Sequence, residues 1–271
     1  MSLLVEQLCD QFAEILEQLE ELRKQGKNIP ELAVSRCVSH LYIPSPHLDK
    51  YLDQLKIFLD LPKPKQEEIT KAGYLLEEIA LICFCGLRGC TNVKSFRSPS
   101  AQYDLVISGD TKLWKSICEF LFLDFNQRDI VIEVKATTDS LSDSQFARLC
   151  SIMSLNLTNT GLGIFFTLNG ASGFPKAGDS RQQKIGNARL RQVIFHASTK
   201  KAIVVLDKND ILTLNQNGSL ITLLIRKIRD LHELSGLPTA PVEELVEVDL
   251  PKSPSQLKQI YTQICSINAS D

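Results

Sequence analysis

Within residues 129–138, DIVIEVKATT, two charged residues, Glu133 and Lys135, interrupt a run typical of a buried strand. The Val and Ile residues favour an extended conformation, in which side chains two positions apart point to the same face. Glu133 and Lys135 therefore share a face with Thr137, while the opposite face carries the apolar Ile130, Ile132, Val134 and Ala136. Burying a carboxylate and an ammonium is costly unless a partner compensates them. A metal ion or a phosphate group would suit this pair.

A second carboxylate, Asp104, opens an apolar strand pattern in SAQYDLVISGD. If the two strands pair, Asp104 and Glu133 lie a few ångströms apart. Two carboxylates with strand carbonyls form a hard oxygen site suited to Mg²⁺ or Mn²⁺. Lys135 would then orient or deprotonate a water, or stabilise developing charge on a phosphate. Another acid-x-Lys triplet begins at Asp110, but it lies at a turn signal and not in a strand.

The elements that would position these residues alternate between helical and extended patterns. A helix covers the segment from Glu67 to Gly86, and three strands that form a meander follow in CTNVKSF, YDLVIS and DIVIEVKAT. Residues 111–128 form either a helix or a hairpin arm. The segments SDSQFARLCSIMSLN, DSRQQKIGNARLRQVIFHA and SLITLLIRKIRDLHEL predict helices, separated by buried strands in LGIFFTL and KAIVVLD. The sequence therefore predicts an α/β protein with a mixed sheet covered by helices on both faces.

Regions outside this core have different patterns. Residues 1–65 predict an N-terminal helical region, which proline-rich LPKPK separates from the main domain at 66–236. Its first helix carries an apolar seam at the spacing of a coiled coil, formed by Val5, Leu8, Phe12, Ile15, Leu19 and Leu22. The seam either lies against the main domain or forms a dimer contact. Residues 237–271, rich in Pro, Ser and acids, predict a loosely structured tail.

Composition limits the function classes. The net charge is −2, so nucleic-acid binding requires a local basic patch. No apolar run reaches the roughly 20 residues that span a bilayer, and acids throughout the N-terminus argue against a targeting peptide. The eight cysteines are expected to be free thiols of a reduced compartment. The sequence contains no glycine-rich phosphate-binding motif, so we expect no nucleotide cofactor. We expect a soluble cytoplasmic protein without a membrane segment.

An Asp followed by Glu-x-Lys on an adjoining strand resembles the PD-(D/E)xK nuclease superfamily, in its restriction-endonuclease-like and Mrr-like branch. GYLLEE, at residues 73–78, matches the Gly-x-x-Φ-Glu helix of that branch and places its glutamate at Glu77. Gln145 is the nearest match to the polar residue that opens the next helix. The resemblance covers residues 66–210. It departs from the family where Tyr103 replaces the usual Pro, and in the long gap between Asp104 and Glu133.

The resemblance implies a restriction-endonuclease-like fold and a metal-dependent endonuclease that hydrolyses DNA phosphodiester bonds. Mg²⁺ (or Mn²⁺) would be held by Asp104 and Glu133, with Glu77 as a further ligand or acid. Lys135 would act beside the metal, and Gln145 would be an additional catalytic-site residue. Cutting both strands of a duplex requires two sites, so a homodimer is expected.

Several basic residues are candidates for DNA contacts, although an ordinary basic helix face would have the same composition. They are Lys94, Arg97, Lys176, Arg181, Lys184 and Arg189. Two alternatives to the nuclease remain open. The same fold could be catalytically inactive and serve as a DNA-binding or assembly subunit. An unrelated α/β protein could hold Glu133 and Lys135 as a structural ion pair, which a distant Asp104 would favour.

Overall fold

The computed structural model describes residues 37–62, 65–97, 102–137, 139–174 and 186–235. It also describes eight of the residues between 11 and 25. The predicted tail at 237–271 and most of the N-terminal seam lie outside these residues. No helix in the described part of the chain is long and apolar enough to cross a membrane.

The described segments form helices and strands in the predicted alternation. The helices are α1 (Leu48–Leu59), α2 (Gln66–Cys85), α3 (Lys112–Phe120), α4 (Asp143–Ser151), α5 (Asn187–Thr199), α6 (Lys208–Ile211) and α7 (Ser219–Ser235). The strands are β1 (Asn92–Arg97), β2 (Gln102–Ser108), β3 (Asp129–Lys135), β4 (Thr160–Thr167) and β5 (Ala202–Leu206). A π-helical turn, Ile152–Asn156, extends α4.

The five strands form one mixed sheet in the order β1-β2-β3-β4-β5. Strands β1, β2 and β3 are antiparallel neighbours, which confirms the predicted meander, and β4 and β5 run parallel to β3. The connections from β3 to β4 and from β4 to β5 contain helices, as parallel neighbours require. The α/β prediction with a mixed sheet is therefore confirmed.

Helix α3 fills the gap between β2 and β3 that the sequence left open between a helix and a hairpin arm. Thr111 caps it, because its side-chain oxygen accepts a hydrogen bond from the Trp114 backbone N–H at 3.1 Å. Trp114 is completely buried, and its ring N–H donates to the Arg128 carbonyl at 3.1 Å. This contact ties the helix to the entrance of β3.

The two faces of the sheet bury separate hydrophobic cores. On one face, Ile130, Ile132 and Val134 pack with α1, α2, α3 and α7. On the other face, Val131 and Phe165 pack with α4, its π turn and α5. The alternation along β3 follows from the two-residue period of a strand. Glu133 therefore lies on the face covered by α4 and α5.

The described part of the N-terminal region packs on the first of these cores. Leu48, Leu52 and Leu55 of α1 are buried in the same cluster as α2 and the sheet. From the predicted apolar seam, Phe12 packs against this cluster, whereas Ile15 is 51% exposed. Of the seam residues that the structure describes, Phe12 therefore contacts the main domain.

Two histidines that are far apart in sequence stack on each other. His196 of α5 and His232 of α7 have ring centroids 4.8 Å apart and an interplanar angle of 9°. The His196 Nδ1 atom hydrogen-bonds to the Lys201 carbonyl at 3.0 Å. Burial lowers the pKa of His232 to about 4, helped by the nearby His196, and burial also lowers the pKa of His196. The stack joins helices that cover opposite faces of the sheet.

Acidification should destabilise the protein through this stack. Both histidines have lowered pKa values in the folded state because the fold favours their neutral rings. Their contribution to the free energy of unfolding is therefore complete above the unfolded pKa of 6.5. It is lost as the pH falls from about 6.5 towards about 4. Replacing His232 by Phe keeps an aromatic ring but removes one titration. Urea unfolding at pH 7.5 and pH 5 should show a smaller loss of stability in His232→Phe than in the wild type.

The exposed His47 provides the control, because His47→Gln should leave the wild-type pH dependence unchanged. Equal pH dependence in His232→Phe and the wild type would contradict the proposed role of the stack.

A buried lysine closes the end of the α4 segment. Lys201 is 7% exposed, and its Nζ donates to the Met153 carbonyl at 2.7 Å and to the Thr158 carbonyl at 2.9 Å. These carbonyls belong to the π turn and the loop after it, where helical backbone acceptors have no intrahelical partner. Lys201 thus fixes α4 and its π turn to the beginning of β5.

Replacing Lys201 by Met should destabilise the fold while preserving most of the side-chain volume. The change leaves the Met153 carbonyl without its charged donor, at an expected cost of about 1–3 kcal/mol in the free energy of unfolding. Urea denaturation at pH 7 measures the difference. Lys208→Met, at an exposed lysine, is the matched control and should change stability by less than about 0.5 kcal/mol. Equal effects of the two substitutions would refute this role of Lys201.

Candidate active site

The β2–β3 ladder ends one residue before Asp104 and Glu133. Leu105 of β2 pairs with Ile132 of β3 in an antiparallel ladder. Continuing this register by one residue brings Asp104 across from Glu133. Between β1 and β2 the register shifts, since Ser95 pairs with Leu105 while the next residue pairs with Tyr103. Asp104 is therefore the extra residue of a β-bulge, a feature that re-aims side chains beside functional sites.

The Asp104 carboxylate is fixed directly against β3. Its Oδ2 accepts a hydrogen bond from the backbone N–H of Val134 at 2.6 Å. Val134 is the middle residue of the Glu-Val-Lys triplet, and the β2–β3 ladder ends two residues before it. The carboxylate thus takes the position that a strand carbonyl would otherwise fill. This bond brings Asp104 to the triplet, as the sequence predicts.

Glu133 is a fully buried carboxylate with two cationic neighbours. Its side chain has no solvent exposure, and Lys135 Nζ lies 3.1 Å from Oε1. The Arg148 Nη2 atom, from α4, donates to the same Oε1. The other oxygen, Oε2, is buried without a hydrogen-bond partner among the described residues. A buried oxygen of this kind is costly to leave unsatisfied.

Opposing influences act on the ionisation of Glu133. Burial raises the pKa of its carboxyl group, and the charge of Asp104 raises it further. Lys135 and Arg148 lower the pKa by favouring the ionised form, but the net direction is upward. The effect of Asp104 agrees with the register that places the two carboxylates together. A distant Asp104, which would favour an unrelated protein with a structural ion pair, is therefore not observed.

Thr167 lies next to Lys135 on the same face of the sheet. The two residues pair in the parallel β3–β4 ladder, and Glu133 pairs with Phe165 in that ladder. Thr167 is completely buried, and its Oγ1 has no hydrogen-bond partner among the described residues. Two unsatisfied buried oxygens, from Glu133 and Thr167, thus lie near the carboxyl ends of β3 and β4. In open α/β sheets, ligands bind outside these strand ends.

Glu77 and Gln145 have different surroundings. Glu77 is half-buried on α2, one turn after Gly73, and a Cβ atom at Gly73 would lie 3.8 Å from the Ala136 Cβ. Helix α2 therefore passes the end of β3 near the triplet. The Gln145 Oε1 atom accepts from the Ser142 backbone N–H at 2.7 Å. Gln145 thereby closes the capping box that begins α4, and its catalytic role stays a prediction.

The predicted DNA-contacting residues are spread over several elements. Lys94 is exposed on β1, close enough to Asp129 to lower the pKa of that carboxyl, although burial raises it overall. The Arg189 guanidinium lies 4.6 Å from the centroid of the Phe174 ring and donates to Gln192 Oε1 at 2.8 Å. Burial lowers its pKa. Arg97 ends β1. The remaining candidates, Lys176, Arg181 and Lys184, lie outside the described residues.

Sequence reasoning did not identify Arg148 or Thr167. A signal for Arg148 existed, because it lies three residues after Gln145 and shares its face of a predicted helix. Thr167 is a hydroxyl at the end of an otherwise apolar strand pattern, a position typical of sites at strand ends. The parallel pairing of Lys135 with Thr167 depends on register, which a single strand pattern does not reveal.

Two residues of the site could serve as ligands of a hard divalent cation. Mg²⁺ is usually bound by one or two carboxylates, with waters and substrate phosphates as the other ligands. Asp104 and Glu133 supply two such carboxylates, and Glu133 Oε2 is an oxygen that lacks a donor. Within the described ranges, no group of three or more His, Cys, Asp or Glu side chains is arranged to hold a metal. Asp104 and Glu133 are therefore the two protein residues that would hold such a cation, with waters and phosphate as its other ligands.

The chain was compared with known proteins. No family model, no curated protein and no solved structure matches it.

Proposed function

We propose that the protein is a metal-dependent endonuclease of restriction-endonuclease-like fold that hydrolyses DNA phosphodiester bonds with Mg²⁺ or Mn²⁺. The observation that carries the proposal is the fully buried Glu133, whose Oε2 has no partner among the described residues, while the Asp104 carboxylate accepts a hydrogen bond from the next residue's N–H, that of Val134. A bound divalent cation would satisfy that oxygen and offset the mutual repulsion of the two carboxylates.

The order of elements supports this proposal. Helix α2 with its Gly73 and Glu77 precedes a meander, and the meander's third strand carries the Glu-x-Lys triplet. Helix α4, whose capping box Gln145 closes, follows as the resemblance implies, and the parallel strand β4 comes next. The long gap between Asp104 and Glu133 holds α3, so the insertion leaves the pairing of β2 with β3 intact.

The side chains have separable roles in phosphodiester hydrolysis. A water oxygen forms a new bond to phosphorus, one ester P–O bond breaks, and the departing oxygen gains a proton. When bound, Mg²⁺ supplies Lewis-acid stabilisation of the charge on the phosphate oxygens. Glu133 and Asp104 would hold it. Lys135, anchored 3.1 Å from Glu133 Oε1, would orient the attacking water or stabilise the phosphate charge.

Cleavage of both strands of a DNA duplex would require a second copy of the chain. One site of this kind cuts one strand, so we propose a homodimer with two sites, related by a two-fold axis that matches the duplex. Lys94, exposed on β1, would contribute to salt-dependent phosphate binding.

A specific observation also favours a second candidate function. Lys135 and Arg148 both pair with Glu133, so the buried charge is compensated without a metal. The same fold could then be catalytically inactive and act as a DNA-binding or assembly subunit. Metal binding separates the two candidates, because only the nuclease requires it.

Isothermal titration calorimetry with Mn²⁺ tests the metal site. The wild type should bind Mn²⁺. Both Glu133→Gln and Asp104→Asn should weaken this binding by at least about 100-fold, because loss of a ligand should cost at least as much as loss of a residue that only supports a ligand. The reason is that each substitution removes one of two anionic ligands while preserving side-chain shape.

Asp110→Asn is the matched control, since it changes an exposed carboxylate in the acid-x-Lys triplet that lies outside the sheet. It should bind Mn²⁺ like the wild type. Absence of wild-type binding, even with duplex DNA present, would refute the nuclease and leave the inactive subunit as the remaining candidate.

Lys135→Met should separate chemistry from metal binding. The substitution keeps the aliphatic stem but removes the ammonium, so cleavage of supercoiled plasmid with Mg²⁺ should fall by at least about 100-fold. Mn²⁺ binding should persist, because both carboxylates remain. Lys112→Met, in the second acid-x-Lys triplet, should cleave at the wild-type rate. Full activity of Lys135→Met would exclude Lys135 from the reaction.

A further inference from the structure

Arg148 connects the buried carboxylate to solvent. Its guanidinium donates to Oε1 of Glu133, whose side chain is fully buried. The Arg148 side chain itself is 38% exposed. Helix α4 supplies it from above the sheet face that carries Glu133. The same side chain can therefore meet a buried anion and an anion that approaches from outside.

Both cationic side chains at Glu133 contact the same carboxylate oxygen. Lys135 and Arg148 both contact Oε1, whereas Oε2 lacks a donor among the described residues. One ammonium at 3.1 Å already pairs with the carboxylate. A divalent cation bound between Glu133 and Asp104 would place further positive charge beside the guanidinium, and like charges at such short range repel.

We propose that Arg148 is an exchangeable counter-ion, which neutralises Glu133 in the metal-free protein and binds a DNA phosphate when the cation is present. This inference rests on the proposed nuclease function. The guanidinium is suited to the exchange, because its planar fork binds carboxylate and phosphate in the same bidentate manner. Lys135, anchored in the sheet on β3, stays with Glu133.

The exchange couples metal and DNA binding. Without metal, Arg148 is engaged by Glu133 and contributes little to DNA affinity. With metal, Glu133 no longer requires the guanidinium, and a phosphate gains a charge-assisted partner. Each ligand therefore strengthens the binding of the other by the same factor. The site would hold metal and DNA together more readily than either alone.

Arg148→Gln gives a distinctive pair of effects. Mn²⁺ affinity without DNA, measured by calorimetry, should rise by about fivefold or more, because the internal competitor is gone. DNA affinity with Mn²⁺ should fall, and the slope of log affinity against log salt should decrease by about 1. Fluorescence anisotropy with a phosphorothioate duplex, which resists hydrolysis, measures this affinity.

Arg226→Gln is the matched control. Arg226 is 66% exposed on α7, which packs on the opposite face of the sheet, and its loss changes the net charge by the same amount. It should leave Mn²⁺ affinity unchanged. Arg148→Lys keeps the charge without the fork, so its Mn²⁺ affinity should resemble the wild type while DNA affinity falls. This variant also tests the inference if Arg148→Gln does not fold.

The outcomes separate the inference from the function on which it rests. Lower or unchanged Mn²⁺ affinity in Arg148→Gln, with normal binding in the wild type, would make Arg148 a fixed positioning residue and overturn the exchange. Wild-type DNA affinity in Arg148→Lys would also overturn it. Absence of Mn²⁺ binding in the wild type would overturn the proposed nuclease itself.

Discussion

The site depends on one constraint: Glu133 carries a carboxylate in the interior of the protein. A buried, isolated charge is destabilising by several kcal/mol even after relaxation, so the surrounding structure must compensate it. Lys135 from the same strand and Arg148 from α4 provide that compensation. The fold therefore has to keep α4 close to the face of β3 that carries Glu133.

Several packing features maintain that position. A Cβ atom added at Gly163 of β4 would lie 2.7 Å from the Met153 sulfur, so the glycine leaves room for the Met153 side chain of the π turn against the sheet. Lys201 holds the same turn through the carbonyls of Met153 and Thr158. Both contacts act on the segment that follows Arg148, and they link the stability of α4 to the geometry of the charged cluster.

The features that depend on local sequence patterns could be predicted from the sequence. The two-residue period placed Glu133 and Lys135 on one face, and the alternation of elements indicated a mixed sheet, as observed. The bulge at Asp104 and the pairing of Lys135 with Thr167 depend on how separate strands align. Arg148 and the His196–His232 stack require helices to meet across distant sequence. Such contacts are properties of tertiary packing, which no single segment encodes.

The charges at the site explain why one geometry suits both an ion pair and a metal centre. Two carboxylates, Asp104 and Glu133, lie beside two basic side chains, Lys135 and Arg148, so the formal charges of these four side chains cancel. A divalent cation alone would leave an excess of two positive charges in a poorly solvated place. A DNA backbone supplies phosphate charges that cancel this excess. In the proposed nuclease, electroneutrality would favour joint occupancy of the site by the cation and a DNA phosphate.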